Sequence, residues 1–302
     1  MNRRILLIAL LFAILCTGTF AFFTQSPSMI QTSSVINDSA GKLDSKVLGD
    51  VEKTLNITPS FYDLEYVNGY IWAAGKSIGL FKLDPNTGVT LDSLHFPFEP
   101  VGVASDGTFF YLSAGINQYS TIYKYTLAGT YVANLSIPLS YHPDYDEWFT
   151  GLACHNRYLY AISMSNYYHY GFRINLDSWS IDKTFEPEFS TSQGLAYYDG
   201  LLWTLDFDKL YAFDPNTGKI QERIDVIDSG SGLAYDGTHF LMSNIAPSKI
   251  YYLDIPTETG EVWTQYPTPE SHPLDIAWNG TYYYLADTDV NKIYKLNNLF
   301  RN

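Results

Sequence analysis

Residues 194–226 read GLAYYDGLLWTLDFDKLYAFDPNTGKIQERIDV. Gly194 to Tyr197 makes a first short strand, A. Asp199-Gly200 then turns the chain, because an Asp-Gly pair supplies the positive φ angles of a tight hairpin. Leu201 to Leu205 is strand B and Lys209 to Asp214 is strand C. In Asp214-Pro-Asn-Thr-Gly218 the proline presets a turn and the glycine ends it. Lys219 to Val226 is strand D. Four antiparallel strands thus fill one unit.

Outward from this unit, the A-strand motif recurs. It opens at Asp63, Gly102, Gly151, Gly194, Gly232 and Asp275, with spacings of 39, 49, 43, 38 and 43 residues. The A-to-B turn recurs as Asn68-Gly69, Asp106-Gly107, Asp236-Gly237 and Asn279-Gly280, and as His155-Asn156 in the third unit. A period of 40 to 45 residues with several short strands per unit is the signature of propeller blades. The reading is an all-β fold, a six-bladed β-propeller of four-stranded blades. No segment after residue 24 carries the long 3.6-residue apolar period of a helix, which excludes α/β folds.

The last unit runs short. Its third strand, Lys292 to Leu296, leaves six residues before the end of the sequence. A strand-like segment without a blade, Asp50 to Ile57, precedes unit one. We expect it to complete blade six, closing the ring and covering a strand edge that would otherwise invite association.

The 302 residues carry a formal charge of −14. Such a surface repels nucleic acid and anionic lipid and tolerates cations, sugars or basic partners. Asn2-Arg3-Arg4, the apolar run Ile5 to Cys16 and the small residues near Ala21 read as an export signal over residues 1–21. An uncleaved membrane anchor is the alternative, since Ile5 to Phe23 is just long enough to span. Residues 22–45 read as a serine-rich linker, and 46–302 as the propeller. The expected location is secreted or on the extracellular face of the membrane, with membrane contact only through the N-terminal segment. Cys154 is the single cysteine outside that segment, so no intramolecular disulfide follows. Its strand position reads as a small core hydrophobe.

In a propeller the D-to-A and B-to-C connections share one face. Here those connections gather aromatic and acidic residues, among them Tyr62, His142, Trp148, Tyr168, Gln193 and Asp206. Rings stack on apolar faces while carboxylates accept hydrogen bonds, so the set suits a glycan, a peptide or a surface protein. A second cluster is expected at the axis. Blades two to five begin strand A with Gly-x-Ala, but blade one has Asp63 and Glu65, and blade six has Asp275. Ring closure makes these blades neighbours. Three converging carboxyls need a cation or raised pKa values, and Ca²⁺ prefers such oxygen ligands.

Asp63-Leu-Glu-Tyr-Val-Asn-Gly-Tyr-Ile-Trp72 with Leu83-Asp-Pro-Asn-Thr-Gly88, and Ser192-Gln-Gly-Leu-Ala-Tyr-Tyr-Asp-Gly200, resemble blades of the glutaminyl-cyclotransferase, NHL and streptogramin-lyase-like group. The resemblance implies a six-bladed propeller and, in some members, enzymatic activity. That group carries an acidic residue and Ser-Thr-Gly after the Gln-Gly-Leu strand, whereas this chain reads Trp203-Thr-Leu-Asp206. We therefore expect an exported, non-enzymatic propeller that binds a ligand or partner on its loop face. A cyclotransferase- or lyase-type enzyme is the alternative reading.

Overall fold

The computed structural model describes residues 51–297, apart from 58–59, 76–78, 115–120, 137–147, 165–168, 188–192, 227–229, 245–248, 254–261 and 268–271. Twenty-four strands build six four-stranded antiparallel sheets. An isolated strand comes first, β1 (Val51–Asn56). Blade one follows as β2 (Phe61–Val67), β3 (Tyr70–Gly75), β4 (Gly79–Leu83) and β5 (Thr90–His95). Blade two is β6 (Pro100–Ser105), β7 (Phe109–Ala114), β8 (Thr121–Thr126) and β9 (Tyr131–Ser136). Blade three is β10 (Trp148–His155), β11 (Tyr158–Met164), β12 (His169–Asn175) and β13 (Ser180–Phe185). Blade four is β14 (Gln193–Tyr198), β15 (Leu201–Asp206), β16 (Lys209–Phe213) and β17 (Ile220–Asp225). Blade five is β18 (Gly232–Tyr235), β19 (Phe240–Asn244), β20 (Lys249–Leu253) and β21 (Val262–Pro267). Blade six contributes β22 (Pro273–Trp278), β23 (Tyr282–Asp287) and β24 (Lys292–Asn297). Its fourth strand is β1, which pairs antiparallel with β24 from Lys53↔Lys295 to Asn56↔Lys292. The fold is a six-bladed β-propeller closed as the sequence predicts.

Packing confirms that β1 plays the part of a D strand. A Cβ on Gly88, past the C-to-D turn of blade one, would meet Leu55 Cβ at 2.7 Å. Gly218 of blade four stands in the same relation to Phe185 of β13, the D strand before it. Leu55 and Phe185 are therefore equivalent, and Leu55 is fully buried. The core lies between blades as six clusters of aliphatic and aromatic side chains, such as Leu55, Phe61, Leu64 and Ile293 at the closing seam. Each blade face is apolar, and stacking blades face to face removes both faces from water.

The A-to-B turns differ from the expectation in four blades; in blade three His155 pairs with Tyr158, so the turn is Asn156-Arg157 with only Asn156 at positive φ. Asn68-Gly69 and Asp199-Gly200 have two positive φ angles each, as a two-residue hairpin needs. In blades two, five and six only the glycine is positive, as at Gly107, Gly237 and Gly280. There a threonine follows the glycine, and the longer loop is held by the preceding side chain. Asp106 Oδ1 accepts from the Thr108 and Phe109 amides at 2.8 Å, and Asp236 and Asn279 repeat the arrangement.

Candidate functional site

The axis of the ring is lined by six A strands, and glycine decides how close they come. A Cβ on Gly232 would lie 2.7 Å from the Asp275 Cα. One on Gly194 would lie 2.9 Å from the Leu233 amide, and one on Gly151 2.7 Å from Leu195 Cβ. Blades three to six thus meet backbone against backbone. Blades two to five each have a buried hydroxyl near the end of strand B: Ser113, Ser163, Thr204 and Ser243. Thr204 Oγ1 donates to the Gly194 carbonyl at 2.7 Å. Ser243 Oγ accepts from the Gly232 amide at 2.9 Å and reaches the Leu274 carbonyl of blade six at 3.3 Å. Thr204 and Ser243 thus tie strand A to its own blade and, at blade five, to the next, whereas Ser163 bonds Tyr170 of β12.

Blades six and one solve the same problem differently. Asp275 faces Ala286 and Asp63 faces Ala74, where the register of blades two and five pairs glycine with serine. Asp275 Oδ2 accepts from the Leu64 amide of blade one at 2.8 Å. Asp63 Oδ2 accepts from the Val103 amide of blade two at 2.7 Å, and Asp63 Oδ1 from the Leu64 amide at 3.0 Å. A carboxylate spans the seam that glycine closes elsewhere, and alanine leaves room for it. The paired exchange of Gly and Ser/Thr for Asp and Ala was present in the sequence, and strand-by-strand alignment would have found it.

The two aspartates also bond to each other, which requires a shared proton. Burial holds Asp275 well above the usual carboxylate range, and the negative Asp63 beside it adds to this. Burial raises Asp63 too, against the lowering pull of the Asp275 and amide hydrogen bonds. Glu65 lies two residues along the same strand. Burial, reinforced by the charge of Asp63, pushes it up to about 8. No hydrogen bond holds it among the described residues. A Ca²⁺ ion asks for six to eight oxygens. Asp63 and Asp275 have committed theirs to amides and to one another, and no three described His, Cys, Asp or Glu side chains come together as a ligand group. The donor set suits a shared proton better than a calcium ion.

Between the A strands lies an axial cavity of about 310 Å³, walled by all six blades. Asp63, Glu65 and Asp275 face it from one sector. Tyr66, Tyr197, Tyr235 and Trp278 occupy the A-strand position nearest the A-to-B turns. Their rings are pinned by neighbours: Tyr66 stacks on Tyr284 at 5.9 Å and Tyr197 on His155 at 3.9 Å. Cys154 lines the cavity as well and, partly buried, packs against the core cluster between blades two and three. Burial raises its thiol well above the ordinary value, with Glu65 and Asp106 adding to the effect.

The loop-face set fares differently. Tyr62 stands on β2 rather than in a loop, half-buried, with its hydroxyl bonded to Glu99. Asp206 ends β15 and is buried. Trp148 and Gln193 open β10 and β14, and only their strand positions are described. His142 and Tyr168 lie outside the described residues. Strands extend one to two residues beyond their β-forming cores here, because pairing with a long neighbour outweighs local propensity.

No family model matches the chain, and no curated protein matches it. Solved structures do. A chain in a crystal structure of the mitotic checkpoint complex shares 13% identity at a TM-score of 0.63, over 93% of this chain and 99% of that one. A chain of Kuenenia stuttgartiensis hydrazine synthase gives 13% and 0.60, over 78% and 83%. The Cps50 (Swd1) β-propeller domain of Myceliophteria thermophila gives 11% and 0.57, over 79% and 83%. At such identity the likeness is one of fold, and propellers host many unrelated functions.

Proposed function

We propose that this is an exported or surface-held propeller that binds a small ligand or a partner's extended segment at its axis, without chemistry of its own. The observation that carries the reading is the axial cavity, to which every blade contributes and which holds three carboxyls. A cavity of this size is at the small end of ligand sites. Its one thiol is held protonated by burial and negative neighbours, and a protonated thiol is a poor nucleophile. Among the described residues no histidine lines the cavity to serve as its base. The loop face remains part of the proposal as the entrance, with a glycan, peptide or surface protein as partner.

The cyclotransferase-type enzyme keeps one specific support. Glu65 is an acid largely protonated at neutral pH and stands in a cavity, as a proton donor would. Incubation with N-terminal glutaminyl peptides separates the two readings. We expect no conversion. Turnover that Glu65→Gln abolishes would overturn the binding-only reading.

A further inference from the structure

The cavity lining is one-sided in its chemistry. Among the described residues it holds the carboxyls of Asp63, Glu65 and Asp275 and no lysine, arginine or histidine. The Leu64 and Val103 amides, which could have served an anion, are already taken by the two aspartates. Glu65 is the group left over. It lines the cavity, partly buried, with no hydrogen-bond partner among the described residues. A carboxyl so placed is satisfied best by a donor that brings positive charge with it. An ammonium group supplies both, with three N–H donors on a compact head. The tyrosine and tryptophan rim offers apolar surface for a short carbon chain behind that head. A net charge of −14 raises the local concentration of cations around the molecule.

We propose that the axial cavity takes a small aliphatic ammonium compound, its head group held by Glu65 beside the Asp63–Asp275 pair. The inference rests on the channel-binding reading above and adds the ligand class. In the empty cavity protons neutralise the acids. The ammonium head replaces the proton on Glu65, so binding releases about one proton near neutral pH.

Cys154 lines the same cavity and serves as a reporter. Three methanethiosulfonates of similar size differ in charge: a neutral methyl reagent, a cationic trimethylammonium-ethyl reagent and an anionic sulfonatoethyl reagent. Modification of Cys154 in the folded full chain is followed by peptide mass mapping, which separates it from Cys16. Rates are normalised to those of a free small thiol. We expect the cationic reagent to lead the anionic one by at least about tenfold, a difference of about 1.4 kcal/mol. Millimolar 1,5-diaminopentane should slow all three. Glu65→Gln should remove most of the preference and the protection; that side chain makes no hydrogen bond, so its exchange leaves the blade seams intact. Failure of even the neutral reagent to reach Cys154 would overturn the channel reading itself. Ready access without charge preference or diamine protection would overturn the ammonium assignment alone. Protection by calcium but not by diamine would do the same, in favour of a metal.

Discussion

The seam between blades five and six and the seam between blades six and one occupy equivalent places in the ring. At the first, Gly232 lets backbones touch and Ser243 bonds across. At the second, Asp275 reaches over the gap to the Leu64 amide, with Ala286 behind it. Where the A strands meet, the first is bridged by uncharged groups. The second holds a carboxyl that ionises only with difficulty, next to a second one and near a third. A repeat fold can therefore exchange a steric solution for an electrostatic one without changing its geometry. The exchange gathers acids in one sector of the channel.

The largest expected effect concerns the strand that completes the second region. Removing residues 22–45 should leave the melting temperature nearly unchanged, whereas removing 22–57 should strip blade six of β1 and lead to aggregation. Leu55→Ala isolates the packing part and should cost about 3 kcal/mol, read by chemical denaturation. Equal melting of the two truncations would show that the ring is not closed by this strand.

Next comes the glycine seam. Gly232→Ala puts a Cβ against the Asp275 Cα and the Leu274 carbonyl, neither of which is a flexible side-chain end. The expected loss is about 2–3 kcal/mol. Gly237→Ala, with open space around it, should lose only about 1 kcal/mol through its positive φ.

The comparison sharpens if one seam is rewritten as the other. Asp275→Gly alone removes the nearer of the Leu64 amide's two acceptors, and should cost about 1 kcal/mol after relief of the acid pair. Adding Ala286→Ser installs the hydroxyl found at Ser243 and should restore most of that loss. A double variant less stable than Asp275→Gly would break the equivalence of the two seams.

How much of this the sequence disclosed depends on range. Turn residues act locally, so the blades and their period were legible from Asp-Gly and Asp-Pro-Asn-Thr-Gly alone. Ring closure was legible as a count, one strand too few at the end and one too many at the start. The acid sector followed from aligning A strands. That Asp63 and Asp275 would bond to the next blade's amides was not legible, since it depends on the spacing between blades. The threonine that lengthens three A-to-B turns was visible and carried a meaning that the Asp-Gly rule overrode. Tyr62 and Asp206 read as loop residues because local propensity ends strands early, while pairing extends them.

Stability should fall as pH rises from about 5 to about 9. Glu65 has a folded pKa near 8, above its ordinary value, so the folded state holds a proton that the unfolded chain releases earlier. The contribution is complete below the ordinary glutamate pKa and lost as pH passes 8. Asp63 and Asp275, raised in the same direction, steepen the same slope. Thermal melts across this range should show a decline of several degrees that Glu65→Gln makes shallower; a flat profile in the parent would mean that the acids are solvated. The smallest effect is expected from calcium. Millimolar Ca²⁺ should barely move the melting temperature, and a clear rise that Asp275→Gly removes would mean that the acids ligate metal.

The pairing of Lys53 with Lys295 sets a schedule as well as a topology. The two positions are 242 residues apart, and a ribosome adding roughly 5–20 residues each second needs about 12 to 50 s to travel between them. Through that interval β1 is made but partnerless. Its exposed residues include Glu52 and Lys53, and only Leu55 of its six is buried in the finished ring. A strand so lightly apolar and so charged is a poor template for stray pairing. It can wait at the front of the nascent chain until β24 arrives.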